Sequence, residues 1–526
     1  MNKHKPYRDS GGFTIVELLV VIVVIGILAA VTVFAYNGIT KRAIDSSLAM
    51  DAQQTQTGLN SYAVDNNGTY VAWTSGTTAP AGLSVPGGSK NSIDVSVSTD
   101  KKSYCIRVYN SSSSYSSLAT AYSLGSSGTA CQNLGPSLAN TNNQWVSVSA
   151  GNFFTCALAV NGYVYCWGYN SGGELGINST TSSPVPMPLY VGGELAGKGI
   201  KKLDSGGSHS CVIASDDKVY CWGSNASGSL GNGVGSTSYP TAVSTSGVMN
   251  GKSITAIEAG PYFMCATDTD GKMYCWGEND NKQLGNNLLT NSPIPVIASA
   301  WGTLDTRSVA TANIGNDHIC VIASGTTYCY GDNGSGQSGT ATSSYTSSAI
   351  NISSLAAFSG KTITDIESMG DHTCALTDNN QLYCFGTGAN GELGNGANGT
   401  INSTPSAVNA SGALAGKTIL SGSITGSYSN TCILTTDTGI NAVCWGSGSN
   451  GMLGNNSTTS SNVPVAVNAG EVPAGVSFKS LSTGSSHNCA VATNQKIYCW
   501  GWNAFGQLGN EQYITSPVPV QAIPNL

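Results

Sequence analysis

Hydrophobic and polar positions along this chain change their period twice. From Leu18 to Tyr36 nineteen residues run without a charge, long enough as a helix to cross a bilayer. Ile39, Ala43, Ile44, Leu48 and Leu59 then keep a rough helical spacing until Asn66-Asn67-Gly68 breaks it, so the helix is predicted to continue well past the apolar run. The pattern next alternates: "SIDVSVS" (92–98) and "SYCIRVYN" (103–110) read as strands of a small sheet. "LGPSLANTNNQ" (134–144) is polar and aperiodic, which marks a domain boundary.

Beyond that boundary the sequence repeats. "TCALAVNGYVYCWGYNSGGELG" (155–176), "SCVIASDDKVYCWGSNASGSLG" (210–231) and "MCATDTDGKMYCWGENDNKQLG" (264–285) share one grammar, and four more units follow. First cysteines are spaced 55, 54, 55, 54, 58 and 57 residues apart. Each unit offers an apolar stretch, a strand carrying the first cysteine, a turn, a Tyr-Cys-Trp-Gly strand, a glycine-rich turn ending Leu-Gly, and a Pro-rich edge such as "SPIPV" (292–296). That is about four short strands per unit, the content of one propeller blade. The array opens on "WVSVSAG" (145–151) and closes on "SPVPV" (516–520). The last segment is therefore expected to complete the first blade's sheet and so seal the ring, removing exposed edges.

Composition narrows the class. Only 9% of the 526 residues are charged and 66 are Gly, as suits a turn-rich extracellular β protein. The net charge is −7, or −9 without the first twelve residues with their Lys3, Lys5, Arg8 and Asp9. No nucleic-acid partner is expected of so acidic a chain. Of the sixteen cysteines, Cys105 and Cys131 stand apart. The rest form seven close pairs: Cys156 with Cys166, Cys211 with Cys221, Cys265 with Cys275, Cys320 with Cys329, Cys374 with Cys384, Cys432 with Cys444, and Cys489 with Cys499. Turns centred on Asn161, on Ser324-Gly325 and near Thr438 each bring a pair face to face across a hairpin, despite different turn lengths. Directly opposed residues at a non-hydrogen-bonded site have Cα atoms about 4.5 Å apart, within disulfide reach.

The N-terminus is more specific than its hydropathy. Gly12-Phe13-Thr14-Ile15-Val16-Glu17 ahead of the apolar run resembles the type IV pilin and pseudopilin N-terminus. An ordinary secretory signal, with Val33 and Ala35 as a small-residue cleavage site, is the alternative. The resemblance implies that prepilin peptidase cuts after Gly12, that Phe13 is methylated, and that the helix is retained as membrane anchor and filament core. It also implies that Glu17 pairs with the amino group of Phe13 in a neighbouring subunit. A carboxylate at that depth is costly and marks function, unless it snorkels to the interface. In the same resemblance, Cys105 and Cys131 close the C-terminal loop of the pilin headpiece. The repeats, through Cys-Trp-Gly and Gly-x-Leu-Gly, resemble the regulator of chromosome condensation family, whose members form seven-bladed β-propellers. In that family cysteines at these places also serve as small buried residues without a bridge; export favours disulfides here.

The expected architecture is therefore an α+β pilin-like domain, a long helix with a small antiparallel sheet, followed by an all-β seven-bladed propeller. Residues 1–12 form the leader and 13–137 the pilin-like domain, its filament helix spanning about 13–36 and extending to about 65. Residues 138–143 form a linker and 144–526 the propeller. Several motifs resolve to structure rather than chemistry. His209, His318, His372 and His487 each precede a cysteine by two, but Phe154, Phe263 and Asn430 hold the same place elsewhere, which argues against zinc. Gly360-Lys361-Thr362 and Gly416-Lys417-Thr418 lack the earlier glycine of a phosphate loop. Asp268 and Asp270 lack the rest of a calcium loop. Trp167, Trp222, Trp276, Trp445 and Trp500, with Tyr330 and Phe385 as counterparts, are expected to pack between blades. No catalytic residue, metal or cofactor is expected. The expected partners are other pilin subunits, prepilin peptidase, the cytoplasmic membrane before assembly, and a protein or glycan ligand on the propeller. The reading is a minor, tip-located pilin-like subunit in the cell membrane and surface filament, displaying its propeller for adhesion. The alternatives are a cargo-recognising pseudopilin and an exported enzyme-inhibitor-type propeller.

Overall fold

The computed structural model describes residues 144–523 apart from loop positions 161, 192, 196, 197, 347, 398 and 400, and of the N-terminal part the backbone of three strands and positions 62, 66, 79 and 81. Gly12, Phe13, Glu17, Cys131 and the expected anchor helix lie outside the described residues. The N-terminal strands are Trp73–Thr74, Asn91–Val97 and Tyr104–Asn110, hydrogen-bonded in that order, with Trp73 opposite Val95 in an antiparallel pair. The last two fall on the segments whose alternation predicted them.

The repeats form seven sheets, each made of strands consecutive in sequence. Blade 1 comprises Trp145–Ala150, Phe154–Ala159, Val164–Gly168 and Ser183–Pro188. The first strands of the other blades are Ile200–Ser205, Ile254–Ala259, Val309–Ile314, Ile363–Met369, Thr425–Gly426 and Phe478–Thr483. Blade 4 departs most: its outer strand is split into Ser343–Tyr345 and Ile350–Asn351, followed by two 3-10 turns.

The second and third strands are buried along nearly their whole length, polar residues included, because both of their faces are covered. Cys211, Ile213, Val219 and Cys221 of blade 2 pack against Met264, Ala266, Tyr274 and Trp276 of blade 3. The residues that alternate with the latter, Phe263, Cys265, Met273 and Cys275, pack against blade 4. Strand periodicity thus sends each blade's cysteines to the following blade and its tryptophan to the preceding one.

The tryptophan sits at a β-bulge. Register with the outer strand shifts between Cys166 and Gly168, and likewise in blades 2, 3, 5, 6 and 7, which re-aims the indole, or in blade 5 the Phe385 ring. Trp222 Nε1 donates to the Glu174 carbonyl at 2.8 Å, Trp276 to Ser229 at 2.9 Å, Trp445 to Glu392 at 2.8 Å and Trp500 to Met452 at 3.0 Å. Each acceptor is the variable residue of a Gly-x-Leu-Gly turn one blade back. The closing glycine of that turn is required twice over: Gly176 has φ +65°, and a Cβ there would lie 2.7 Å from the Trp222 ring.

Ring closure differs from the expectation. Ser516–Gln521 pairs with Ile497–Gly501 inside blade 7, and blade 1 is complete without it. The seam is instead built like the other tryptophan joints, as the fifth of them: Trp167 Nε1 donates to the Gln507 carbonyl at 2.9 Å, and Thr155 Oγ1 donates to the same carbonyl at 2.9 Å. Because the repeats begin on an inner strand and end on an outer one, every unit is already a whole blade and has no strand to exchange.

Candidate functional site at the axial mouth

The residue seven positions before each first cysteine lies directly opposite it on the inner strand: Ser149, Asp204, Glu258, Asn313, Glu367, Thr425 and Ser482. These seven form a polar ring around the axis. They line, with the loops joining first and second strands, a cavity of about 170 Å³. Members of the ring satisfy the neighbouring inner strand, whose edge has no further strand to pair with. Ala150 N donates to Ser482 Oγ at 2.9 Å, Ser205 N to Ser149 Oγ at 2.9 Å, and Ala259 N to Asp204 Oδ2 at 2.7 Å. Ser149 Oγ also donates to Asp204 Oδ1 at 3.0 Å.

Three of the seven are carboxylates, and the site opposes their ionisation. Burial raises Asp204 to about 6 against its hydrogen bonds, and raises Glu258 well above the carboxylate range with the Asp204 charge adding to it. Glu367 is raised likewise, by burial and then by Glu258, Asp365 and Asp204.

Above the ring, on the loop side, stand two further groups. Phe153, Tyr169, Trp502 and Phe505 form a half-buried aromatic cluster across the seam of blades 7 and 1, with Tyr169 and Phe505 centroids 4.8 Å apart and Phe153 and Trp502 5.3 Å apart. Around blades 3 to 5 lie Glu278, Asp317, Asp332 and Asp371, all half-buried. Burial raises Asp317 to about 7, with Glu278, Asp332 and Asp371 adding to the rise. Tyr428 crosses the mouth to donate from its hydroxyl to Asn316 Oδ1 at 3.1 Å. Mouth, ring and aromatic cluster together can receive hydrogen-bond donors, cations and apolar or planar groups. None of these contacts pairs a nucleophile with a base.

The fourteen repeat cysteines form seven hairpin disulfides, paired as their spacing predicts. Cys156 bonds Cys166, Cys211 bonds Cys221, and Cys265 bonds Cys275. Cys320 bonds Cys329, even in the divergent blade 4, and Cys374 bonds Cys384. Cys432 bonds Cys444 across the longest turn, and Cys489 bonds Cys499. Each pair is in direct register with Cα atoms 4.0–4.1 Å apart, and all fourteen are buried. They sit in the blade walls, away from the mouth. Cys105 belongs to the third N-terminal strand; its expected partner, Cys131, is outside the described residues.

The histidines are held between blades. Nε2 of His318, His372 and His487 lies 2.8–2.9 Å from the hydroxyl of Thr373, Thr431 and Thr155 in the next blade. Met264 takes that place after His209, whose Nε2 has no partner. Burial lowers His209 to about 4 and the other three to about 3.

The Gly-Lys tripeptides are hairpin clamps. Lys361 Nζ donates to the Tyr383 hydroxyl at 2.7 Å, and Lys417 pairs with Asp437 at 3.1 Å. Asp268 accepts from Asp270 N and Lys272 N at 2.9 Å and pairs with Lys252 at 3.2 Å. These bonds fix a turn.

A second recurrent device escaped the motif reading. Asn170, Asn225, Asn279, Asn333 and Asn503, two after the Gly of Cys-(Trp/Tyr)-Gly, each accept from the backbone N–H five residues on, at 2.8–3.0 Å. This pins the third-to-fourth connection. Its signal was the repeated Gly-x-Asn, hidden among turns rich in Gly, Ser and Asn.

Comparison with known proteins decides the family. A profile for the RCC1-like domain matches residues 55–429, and profiles for the regulator of chromosome condensation (RCC1) repeat match 444–491, 478–507 and 494–526. The chain belongs to the RCC1-like domain family. A profile for the prokaryotic N-terminal methylation motif matches residues 7–33, so the RCC1-like ring is fused to a pilin-type N-terminus. Among curated relatives, human E3 ubiquitin-protein ligase HERC2 is 27% identical over 66% of this chain, which spans only 7% of HERC2. The ultraviolet-B receptor UVR8 of Arabidopsis thaliana is 27% identical over 61% of this chain and 69% of its own length. Yeast RCC1 (Prp20), solved bound to Kap60, superposes with a TM-score of 0.57 at 21% identity, covering 73% of this chain and 86% of that one. Human WBSCR16 gives 0.58 at 19% identity, covering 69% and 94%. These structures share the RCC1-like fold.

Proposed function

We propose that this protein is a minor, tip-located subunit of a type IV pilus or related filament, presenting its RCC1-like ring for adhesion or partner binding at the cell surface. The observation that carries the reading is the methylation motif at residues 7–33 on the same chain as a closed seven-bladed ring. In this reading prepilin peptidase cleaves after Gly12, Phe13 is methylated, and the apolar helix holds the protein in the cytoplasmic membrane until assembly. Glu17 sets subunit register against a neighbour's Phe13 amino group, since an unpartnered buried charge is costly. A ring of this size obstructs dense lateral packing, which favours a tip over a shaft position. The open axial mouth then faces a protein or glycan ligand. No helix among the described residues is long and apolar enough to cross a membrane; the proposed anchor lies outside them.

Immuno-electron microscopy with an antibody to the ring tests the placement. Label at filament tips is expected; label confined to the envelope favours a pseudopilin that recognises cargo. Glu17→Ala is expected to reach the membrane and fail to enter filaments. Normal incorporation of that variant would refute the pairing role.

A further inference from the structure

Charge is sorted between the two ends of the ring. Connections at the mouth end join first to second and third to fourth strands. Together with Asp332, at the close of its third strand, they hold eight carboxylates and one cation, Lys282. That lysine lies over the Trp301 and Tyr345 rings at 5.9 and 4.9 Å. Three axial carboxylates, Asp204, Glu258 and Glu367, add to the same end. The connections at the hairpin end hold eight Lys and Arg and eight carboxylates, and with the strand residues Lys201 and Asp268 they meet there: Lys198 with Asp216, Lys201 with Asp217, Lys252 with Asp268 and Asp270, and Lys417 with Asp437. All the ion pairs among the described residues are on the hairpin end.

A second observation lies in the Gly-x-Leu-Gly turns and their equivalents, Lys282-Gln283-Leu284-Gly285 in blade 3 and Gly336-Gln337-Ser338-Gly339 in blade 4. In blades 3 and 4 the side chain of the variable residue donates to a mouth carboxylate: Gln283 Nε2 to Asp317 Oδ1 at 3.1 Å, and Gln337 Nε2 to Asp332 Oδ2 at 2.6 Å. Blade 5 has Glu392 there. Its Oε2 accepts from Asn390 N at 2.6 Å, as the glutamine oxygens accept from their own turns. Its Oε1, in the place of the donating amide, is buried and has no donor, and burial, with the Asp371 charge adding to it, opposes ionisation of Glu392. Where two blades supply an N–H to the cluster, blade 5 supplies another acceptor. A buried acceptor without a donor is costly, and this one borders carboxylates that are partly open to solvent.

We propose that the mouth end docks a Lys/Arg-rich protein segment, whose cations lie among Glu278, Asp317, Asp332 and Asp371 and supply the donor that Glu392 lacks. This rests on the partner-binding reading above and names the partner's chemistry. Complementary charge gives such a complex its speed and register. The aromatic cluster at the seam of blades 7 and 1 lies on the same end and receives the aliphatic stems of the same segment. A metal ion is a poorer occupant, since the described residues include no cluster of His, Cys, Asp or Glu with metal-binding geometry.

The test uses the full chain in detergent with fluorescently labelled octalysine, octaglutamate as control, and anisotropy as readout. Octalysine is expected to bind at low salt and to weaken about tenfold or more at physiological salt. The D317N/D371N double variant, shown folded by circular dichroism, should bind it about fivefold or more weakly. D270N/D437N, on the hairpin end, should stay within about twofold of the parent. No octalysine binding, or equal loss in both double variants, or no loss in D317N/D371N, overturns the proposal. Binding of maltohexaose that W502A abolishes, without octalysine binding, also overturns it and assigns the end to sugar. Surface labelling of intact cells is read separately: absent label with intact octalysine binding sinks the display reading alone.

Discussion

Asp317 is held beside three other carboxylates, and the fold bears the cost of its charge. Its pKa is raised from the usual 3.8 to about 7, first by burial. Below the unfolded value the carboxyl is protonated in both states and costs nothing. As pH rises through about 7, the folded state loses the proton and the associated stability. Asp317→Asn keeps an acceptor for Gln283 and removes the charge. It should raise Tm by about 2–4 °C at pH 8 and leave it unchanged at pH 4, as thermal scans at the two values will show. A rise at pH 4 would point to packing instead. Single residues were unevenly legible in the sequence. Trp222 and its equivalents announced themselves by recurrence, though their N–H bonds to the preceding blade did not. Asp204, Glu258 and Glu367 share a place with serine, threonine and asparagine. Residue identity hid them, and only counting back from each cysteine aligns them.

The hairpin of second and third strands is the element that the disulfides define. Each bond closes a short loop of nine to twelve residues, so its effect comes mainly from restricting the unfolded chain. Cys211→Ala with Cys221→Ala should cost about 2–3 kcal/mol in urea titration. All fourteen sulfurs are buried, so thiol reductant without denaturant should leave no free thiol among them by mass spectrometry. Reduction in native buffer would show that blades open locally. Hairpin register could be read from cysteine spacing because a cross-strand pair survives any symmetric turn: Cys320 still faces Cys329 over the shortest separation and Cys432 still faces Cys444 over the longest. The bulge at Trp222 could not, because it depends on how the outer strand is laid down. Of the N-terminal strands, Asn91–Val97 and Tyr104–Asn110 were found within a residue of their predicted ends, since alternation marks a strand, whereas Trp73–Thr74 was not predicted.

At the level of the whole ring, a closing seam built like the internal tryptophan joints replaces a strand-exchange latch. Both ends of the array rest on one segment of blade 7: Trp145 N donates to the Gln495 carbonyl at 2.9 Å, and Ala522 N to that of Ile497 at 3.0 Å. A short linker from 523 to 144 should therefore allow a permuted ring opened between blades 3 and 4, at residues 298–308, with a Tm within about 5 °C of the parent. A much larger drop would reveal a privileged seam. The sequence misled here because a phase that looks incomplete at both ends is equally seven whole units. Net charge misled in another way: −7 for the chain conceals one neutral end and one acidic end, which only strand direction separates. The undivided blade 1 has a mechanical consequence. Tension entering at residue 144 loads Trp145–Ala150, a strand held by hydrogen bonds and packing without a covalent cross-link, and the first such link it meets is Cys156–Cys166. Unzipping halts at that sulfur pair after releasing residues 144–155, about 40 Å of extended chain. The inner strand would then act as a short-travel shock absorber, lengthening once under load while six blades stay shut.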